Sequence, residues 1–319
     1  MDNLEKSIFR TITWFDIFNY PLTVYEIWKW LWMVEKNKPR VENLKNVLEK
    51  SDFLKKLIKY KDGFYFLMWR DQIVKKRKQR YILTEKKYKK LLPIVEKLAR
   101  IPFVEAIVIA TGLSYSNTKE KDDIDLFIIT AAKRIWFVRF FSILILKILR
   151  ARPTPAKKQD KFCLNFFITG ESLNLKNICL PREDDLPDIY FIYWLAWLCP
   201  VYDNGVWKEF TQANDWLKNY LPNYHYQILT NERKIILKSD SLFFKNFCER
   251  VFSKIFGNFL EQNFSWLQRK IMPQRLKDLA NQSTSVIIND QVLKFHDKDK
   301  REEYRTEFKN NVLKVKDVK

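Results

Sequence analysis

The sequence predicts an α/β (α+β) fold, in which a mixed sheet with flanking helices follows a small helical segment and precedes a mainly helical C-terminal region. Two observations support this prediction. Short apolar runs typical of buried strands surround a long helical run in the middle of the chain, and apolar residues recur at helical spacing on both sides of it. With 319 residues, 47% of them hydrophobic, the chain is expected to form two or three packed modules.

The N-terminal segment carries three predicted helices. Its apolar residues lie at helical spacing until Pro21, and Thr23 with Glu26 then forms a capping-box pattern, so a tight turn is expected between two helices. A third helix is predicted over Arg40–Leu54, where apolar residues form one stripe.

A hairpin is predicted next, because Asp62-Gly63 separates two strand-like runs in "LIKYKDGFYFLMW". Three helices followed by a hairpin is the order of a winged helix-turn-helix. We therefore interpret residues 1–73 as a winged helix-turn-helix-like domain, which is a nucleic-acid-binding class.

Residues 74–100 are predicted to form a basic linking helix, bent near Pro93. The stretch Lys75–Lys90 contains nine Lys or Arg residues and one acidic residue. Such a stretch is either a solvated helix face or a contact for nucleic-acid phosphates, and the number of cations favours the second interpretation.

In residues 101–235 the basic helical pattern gives way to short apolar runs that are typical of strands. The run "VEAIVIA" is a predicted strand, "IDLFIIT" is a second strand that ends at Thr130, a helix follows over Arg134–Arg150, and "KFCLNFFIT" (Lys161–Thr169) is a third strand. The later segments "DIYFIYWLAWLCPVYD" and "GVWKEFTQANDWLKNYL" are predicted to be helical. This order of elements gives the mixed sheet of the predicted fold.

Residues 236–319 are predicted to form a helical C-terminal region. One long helix is expected over Ser241–Ile271, followed by a terminal hairpin that turns at Asn289-Asp290. The remaining charged tail is expected to fray.

The net charge and the spacing of cysteine and histidine residues indicate which partners and metals the protein can bind. The formal charge of +20 implies attraction to nucleic acid, nucleotide or anionic lipid. The cysteines lie far apart without a CxxC pair, and His225 and His296 have no ligand spacing, so reduced cytosolic thiols and structural histidines are expected rather than zinc. The N-terminus has no secretory signal, and a cytoplasmic protein is predicted.

The apolar run Ile135–Leu149 raises the question of a membrane span. It is shorter than the ~20 residues that a span needs, and Arg139 and Lys147 interrupt it. A buried helix and no stable membrane span are expected, although attachment of this helix to an anionic membrane surface remains an alternative.

The candidate site combines a glycine turn with a pair of acids. Asp123 and Asp125 stand one residue apart on a predicted strand and therefore point the same way, so they repel each other unless a cation or a solvated cleft lies between them. Such a pair can hold Mg²⁺ or Mn²⁺, which bridge the phosphates of a nucleoside triphosphate. The turn at Gly112 supplies backbone N–H groups, and a hydroxyl such as that of Ser114, to the triphosphate.

This pattern resembles the nucleotidyltransferase superfamily typified by DNA polymerase beta, over about Val104–Thr169. The signature of that family is a hydrophobic residue, Gly, then Gly or Ser, roughly ten residues, and Asp-x-Asp. Gly112 matches its glycine, and Asp123 and Asp125 match its metal-binding pair. The chain is also loosely similar to bacterial and archaeal proteins in which such a domain follows a winged helix and has an "LNFF"-like strand. The resemblance implies metal-dependent transfer of a nucleotidyl group to an acceptor hydroxyl on nucleic acid or protein.

The turn departs from the family pattern. Leu113 stands where the family has Gly or Ser, which removes a hydroxyl from the phosphate turn. Ser114 or Ser116 can replace that hydroxyl only if the loop is reshaped.

The third catalytic acid of the family also differs. Asn165 occupies the expected place, and its amide oxygen can ligate a metal but cannot accept the proton of an attacking hydroxyl. A carboxylate from Asp160 or Glu171 is an alternative supplier of that function. A catalytically degenerate protein that acts as a nucleic-acid-binding or regulatory module is therefore the second hypothesis, and the nucleotide, the acceptor and the oligomeric state remain open.

Overall fold

The computed structural model describes residues 3–33, 38–154, 156–226, 229–253 and 255–314. Four helices and a hairpin form the N-terminal part of the chain. They are α1 (Asn3–Ile17), α2 (Val24–Lys29), α3 (Val41–Lys50), α4 (Asp52–Leu57), β1 (Ile58–Lys61) and β2 (Phe64–Leu67).

Local sequence signals explain most of this part. The predicted capping box is confirmed, because Thr23 accepts from the Glu26 backbone while Glu26 accepts from the backbone of Thr23. The prediction of one helix over Arg40–Leu54 is wrong: the segment forms α3 and α4. The Ser51 hydroxyl accepts from Leu54 N at 3.1 Å and begins the second helix as its N-cap.

The predicted hairpin is also confirmed. Strands β1 and β2 pair antiparallel, and Asp62 and Gly63 have φ of 52° and 86° at the turn. Two successive residues with positive φ are what a tight hairpin of this twist requires. The predicted basic linking helix is present as α5 (Gln72–Ala99), with Pro93 inside it.

In the described part of the chain, seven further α-helices and six strands follow. They are, in chain order, β3 (Val104–Ile109), β4 (Ile124–Thr130), α6 (Ile135–Ile148), β5 (Phe162–Thr169), α7 (Ile189–Trp197), β6 (Cys199–Asp203), α8 (Val206–Ala213), α9 (Ser239–Phe252), α10 (Ile255–Lys270), α11 (Gln274–Asp278), β7 (Val286–Ile288), β8 (Val292–Phe295) and α12 (Arg301–Leu313). The three strands predicted at the centre of the chain are therefore confirmed.

A six-stranded mixed sheet organises these elements. Its strand order is β6-β3-β4-β5-β8-β7, and among the described residues only β4 and β5 pair in parallel. The mixed α/β (α+β) class predicted from the sequence is confirmed.

Both edges of the sheet depart from the sequence-based prediction. The segment after α7 was expected to be helical, but Pro200 cannot donate the backbone hydrogen bond that a helix interior requires, and the chain forms β6 against β3. The hairpin β7–β8 forms where it was predicted, yet β8 also pairs with Phe166–Ile168 of β5 and so extends the central sheet.

The C-terminal helices also correct two expectations. The long helix expected over Ser241–Ile271 is described as α9 and α10, with residue 254 outside the described part. The tail expected to fray forms α12 as far as Leu313, because Arg301, Arg305 and Phe308 are buried against the body of the protein.

Side chains of the sheet alternate between two cores. Phe127 and Ile129 of β4 join a core that also contains buried residues of α1, α2 and α7, whereas Leu126 and Ile128 join a core built with α5 and α6. The N-terminal helices thus share a core with one face of the sheet. Among the described residues, no helix is long and apolar enough to cross a membrane.

Candidate functional site

The acid pair lies at the start of a central strand. Asp123 immediately precedes β4, and Asp125 is its second residue. The parallel pairing places Asp125 opposite Cys163 of β5. One ligand atom from each of Asp123, Asp125 and Cys163 can be chosen so that all three lie within 4.8 Å of one another. The structure therefore brings together the two predicted metal-binding residues and adds a thiol that the sequence analysis missed.

The electrostatics of the pair favour a cation. Burial, and next the charge of Asp123, raise the pKa of Asp125 from 3.8 to about 7, against the opposing hydrogen bond from Thr111. Burial also raises the pKa of Asp123. In the part of the chain that the structure describes, neither carboxylate forms an ion pair with a lysine or arginine. The two carboxylates therefore lack a direct ion-pair partner among the described residues, although the charges of Lys158 and Lys87 partly oppose the rise in the pKa of Asp123.

The chemistry of the donor set fits Mg²⁺ or Mn²⁺ through oxygen. Burial raises the pKa of the Cys163 thiol to about 12, with a further contribution from Asp125, so the sulfur is protonated and neutral at pH 7. A neutral thiol is a poor ligand for hard cations, which prefer carboxylate and carbonyl oxygens. Asp123 and Asp125 are therefore the oxygen donors of this cluster that match such an ion.

The glycine turn is connected to this pair. Thr111 adopts a left-handed φ of 61°, and its hydroxyl donates to Asp125 Oδ2 at 3.0 Å. A Cβ on Gly112 would lie 3.1 Å from the Asn117 carbonyl oxygen, while Asn117 N donates to the Gly112 carbonyl at 2.7 Å. Gly112 therefore allows a close approach of two backbone segments, and the turn holds Asp125 in place through Thr111.

The two serines of the turn serve its internal geometry. The Ser114 hydroxyl donates to the Thr111 carbonyl at 2.7 Å, and Ser114 is only 2% exposed. Ser116 has a φ of 60°, and its backbone N–H donates to Leu113 at 3.4 Å. In this structure Ser114 is therefore used to shape the turn, and it does not line the cavity beside the acids.

Asn165 lies close to the acid pair. The pairing of β4 with β5 shifts register between Asp125 and Phe127, which places an irregularity around Asn165. Asn165, Asp125 and Thr111 all line one cavity of about 150 Å³. The structure thus places the amide of Asn165 beside the acid pair, where the third position of the site was predicted.

The sequence analysis missed the C-terminal wall of this cavity. The wall is formed by Lys294, His296, Asp299 and Arg301. Burial lowers the pKa of Lys294 to about 7 and that of His296 to about 4, so the imidazole is neutral at pH 7. His296 Nδ1 is buried and has no hydrogen-bond partner among the described residues. These residues reach the site because β8 pairs with β5, which local sequence patterns do not reveal.

The two basic residues of that wall, Arg301 and Lys294, contact acidic or carbonyl groups of the protein. Arg301 forms ion pairs with Asp188 at 3.0 Å and with Asp299 at 2.7 Å, and it is 3% exposed. The Lys294 ammonium donates to the Thr284 carbonyl at 2.5 Å. Arg301, Asp188 and Asp299 are therefore paired within the wall, and Asp125 is the acid of the cavity without an ion-pair partner among the described residues.

The alternative carboxylates do not reach this site. Asp160 pairs with Lys87 at 3.3 Å and with Lys90 at 2.5 Å, and Lys87 is 1% exposed. Glu171 is exposed on the segment after β5. Neither residue lines the cavity with Asp125 and Asn165.

Many cations of the Lys75–Lys90 stretch are engaged within the protein. Arg77 pairs with Glu26 at 2.7 Å and its guanidinium lies 3.6 Å from the centre of the Tyr20 ring. Arg80 donates to Asn117 at 2.8 Å. In the described part of the chain, no ion pair involves Lys75, Lys76, Lys86 or Lys89. Part of the stretch therefore attaches α5 to its neighbours, and four lysines remain for an external partner.

The chain matches no protein-family model, no curated protein and no solved structure. The site itself therefore carries the functional conclusion.

Proposed function

We propose that this protein is a divalent-cation-dependent nucleotidyltransferase, which transfers a nucleotidyl group from a nucleoside triphosphate to an acceptor hydroxyl. The observation that carries the proposal is the acid pair Asp123 and Asp125, which lies beside a cavity and lacks a cationic side-chain partner among the described residues. When bound, Mg²⁺ or Mn²⁺ would offset the negative charge of the phosphate groups.

The residues of the chain have separate roles in this proposal. Asp123 and Asp125 hold the ion, Thr111 orients Asp125, and Gly112 permits the turn that carries Thr111. The Asn165 amide oxygen is available as a further neutral ligand. Central strands β3, β4 and β5, with the turn after β3, support a nucleotidyltransferase-like arrangement.

We further propose that the N-terminal helices and hairpin act as a winged helix-turn-helix. With the four unpaired lysines of α5, this part would hold the acceptor, which is RNA, DNA or protein. The order of helices and hairpin and the net charge of +20 support this role.

Incubation with labelled ATP and Mg²⁺ tests the transferase. We expect the wild-type protein to transfer label to itself or to added RNA or DNA, and the double variant Asp123→Ala/Asp125→Ala to transfer none. Equal labelling by both proteins would remove the assignment.

A second candidate function is a non-catalytic nucleic-acid-binding or regulatory module. It is favoured by Asn165, which cannot accept a proton from an attacking hydroxyl, and by the use of the Ser114 hydroxyl inside the turn. This candidate predicts strongly salt-dependent binding to duplex DNA without nucleotide incorporation. Failure to bind DNA at low salt would contradict it.

A further inference from the structure

Asn165 also lines a second cavity. It has a volume of about 170 Å³ and is lined by Arg139, Arg152, Cys163 and Asn165, together with apolar side chains of α6 and β5. Its β5 residues belong to the first half of that strand. The described pairing of β8 with β5 begins after them, at Phe166. We call it the arginine pocket.

The two guanidinium groups of the arginine pocket lack an anionic partner. In the described part of the chain, neither Arg139 nor Arg152 forms an ion pair, and Arg139 Nε is buried without a hydrogen-bond partner. Burial, and next the charge of Arg152, lower the pKa of Arg139 to about 10. Two like charges brought together in a partly buried pocket are unfavourable unless an anion binds between them.

The fixed contacts of Arg139 hold it in position. Its Nη1 donates to Gln268 Oε1 at 2.6 Å, and its guanidinium lies 4.7 Å from the centre of the Phe295 ring. These contacts use one donor and one face of the guanidinium and fix its plane beside the pocket. A planar guanidinium held in this way is suited to bidentate recognition of phosphate oxygens.

The arginine pocket adjoins the acid pair through Cys163. Cys163 lines the pocket and is also close to the carboxylates of Asp123 and Asp125. On its other side, Arg152 also lines a wider groove of about 610 Å³. That groove carries four further cations, namely Lys147, Arg150, Lys157 and Lys161. Cationic side chains therefore extend from this exposed groove, through Arg152, to the pocket that Cys163 lines.

We infer that the arginine pocket binds the pyrophosphate end of the nucleotide, with Arg139 and Arg152 as its phosphate ligands. This inference rests on the proposed function, because it assigns the anionic part of the substrate of the same site. It places the phosphate contacts on α6 and the loop after it, and not on the hydroxyl groups of the Gly112 turn. Arg152 is a binding residue in this account, and its side chain is exposed.

Calorimetric titration with inorganic pyrophosphate tests the inference. The titration is made in EDTA, so that it reports on the arginine pocket and not on metal binding by Asp123 and Asp125. We expect Arg152→Gln to weaken pyrophosphate binding about tenfold, which is the typical effect of losing one charge-assisted contact to phosphate. Arg150→Gln, an exposed cation of the groove outside the pocket, is the matched control and is expected to change the affinity less than about twofold.

Three results would overturn the inference while leaving the transferase intact. One is equal weakening by Arg152→Gln and Arg150→Gln, and a second is the absence of pyrophosphate binding altogether. The third is loss of binding to a single-stranded oligonucleotide in Arg152→Gln with unchanged pyrophosphate affinity, because the residue would then contact an acceptor strand. Loss of label transfer in Asp123→Ala/Asp125→Ala with normal pyrophosphate binding would separate the two sites.

Discussion

The Thr111 hydroxyl donates a 3.0 Å hydrogen bond to Asp125 and so joins the turn after β3 to the acid of the neighbouring strand. This bond lowers the pKa of Asp125, in opposition to burial and to the charge of Asp123, which together raise it to about 7. The protonation state of Asp125 therefore depends on a residue in the turn.

Removal of that hydroxyl should weaken cation binding near neutral pH. Thr111→Val keeps the branched shape but loses the donor, so the pKa of Asp125 rises and protons compete more strongly with the metal. We expect Mn²⁺ affinity to rise between about pH 6 and about pH 8 in the wild type, and the midpoint of that rise to move upward in Thr111→Val. Thr111→Ser is the control that retains the bond. Identical pH profiles for all three proteins would contradict this role.

The raised pKa of Asp125 also has a consequence for stability. The folded-state pKa of about 7 exceeds the ordinary value of 3.8, so the folded protein binds more protons between these values and loses stability as pH rises through them. In EDTA, Asp125→Asn should therefore raise the free energy of unfolding at about pH 8 by about 1–3 kcal/mol, with little change at about pH 4. Chemical denaturation at both pH values measures this difference. A lower stability of the variant at the higher pH would be the contrary result.

Asp160 should behave in the opposite way. Although burial raises its pKa, the bonds to Lys90 and Lys87 dominate and lower it below 3.8. Its contribution to stability is therefore present above its ordinary pKa and is lost as pH falls below it. Asp160→Asn should lower the free energy of unfolding at pH 7 by about 1–3 kcal/mol, because it leaves the buried ammonium of Lys87 without its carboxylate. Lys90→Gln removes only the exposed partner and should cost less than about 1 kcal/mol.

Substitutions in the basic helix α5 should distinguish cations that stabilise the fold from cations that bind nucleic acid. Arg77→Gln loses the ion pair with Glu26 and the contact with the Tyr20 ring, so we expect a loss of about 1–3 kcal/mol in unfolding free energy. Replacement of Lys75, Lys76, Lys86 and Lys89 by Gln should leave stability within about 0.5 kcal/mol, because these lysines are exposed. The fourfold variant should instead weaken duplex DNA binding and reduce its salt dependence. Unchanged DNA affinity would place the nucleic-acid contact elsewhere or exclude it.

Local signals account for what the sequence could predict. The capping box of Thr23, the turn at Asp62-Gly63 and the three central strands each depend on residues close together in the chain. The position of Asp123 and Asp125 at the beginning of β4 follows from the same local pattern. Such features are set by backbone geometry and by burial of apolar runs, which the sequence displays directly.

The remaining features depend on long-range pairing. The segment Cys199–Asp203 follows an apolar helix and has no local mark of an edge strand apart from Pro200, so β6 was predicted as helix. The contribution of His296 and Arg301 to the cavity depends on the pairing of β8 with β5. The proximity of Cys163 to Asp125 depends on the register of β4 against β5, which an irregularity in the pairing alters.

The most direct test of the account is the binding of Mn²⁺, measured by electron paramagnetic resonance on the metal-free protein. We predict Mn²⁺ binding that Asp123→Ala/Asp125→Ala weakens by at least about tenfold, because both proposed ligands are lost. Asp122→Ala, which removes the adjacent acid, should retain it, since the Asp122 carboxylate accepts from Lys119 N at 2.7 Å and does not belong to the ligand group. Equal Mn²⁺ binding by the wild type and the double variant, or none by either, would contradict the claim that these two carboxylates form a metal site.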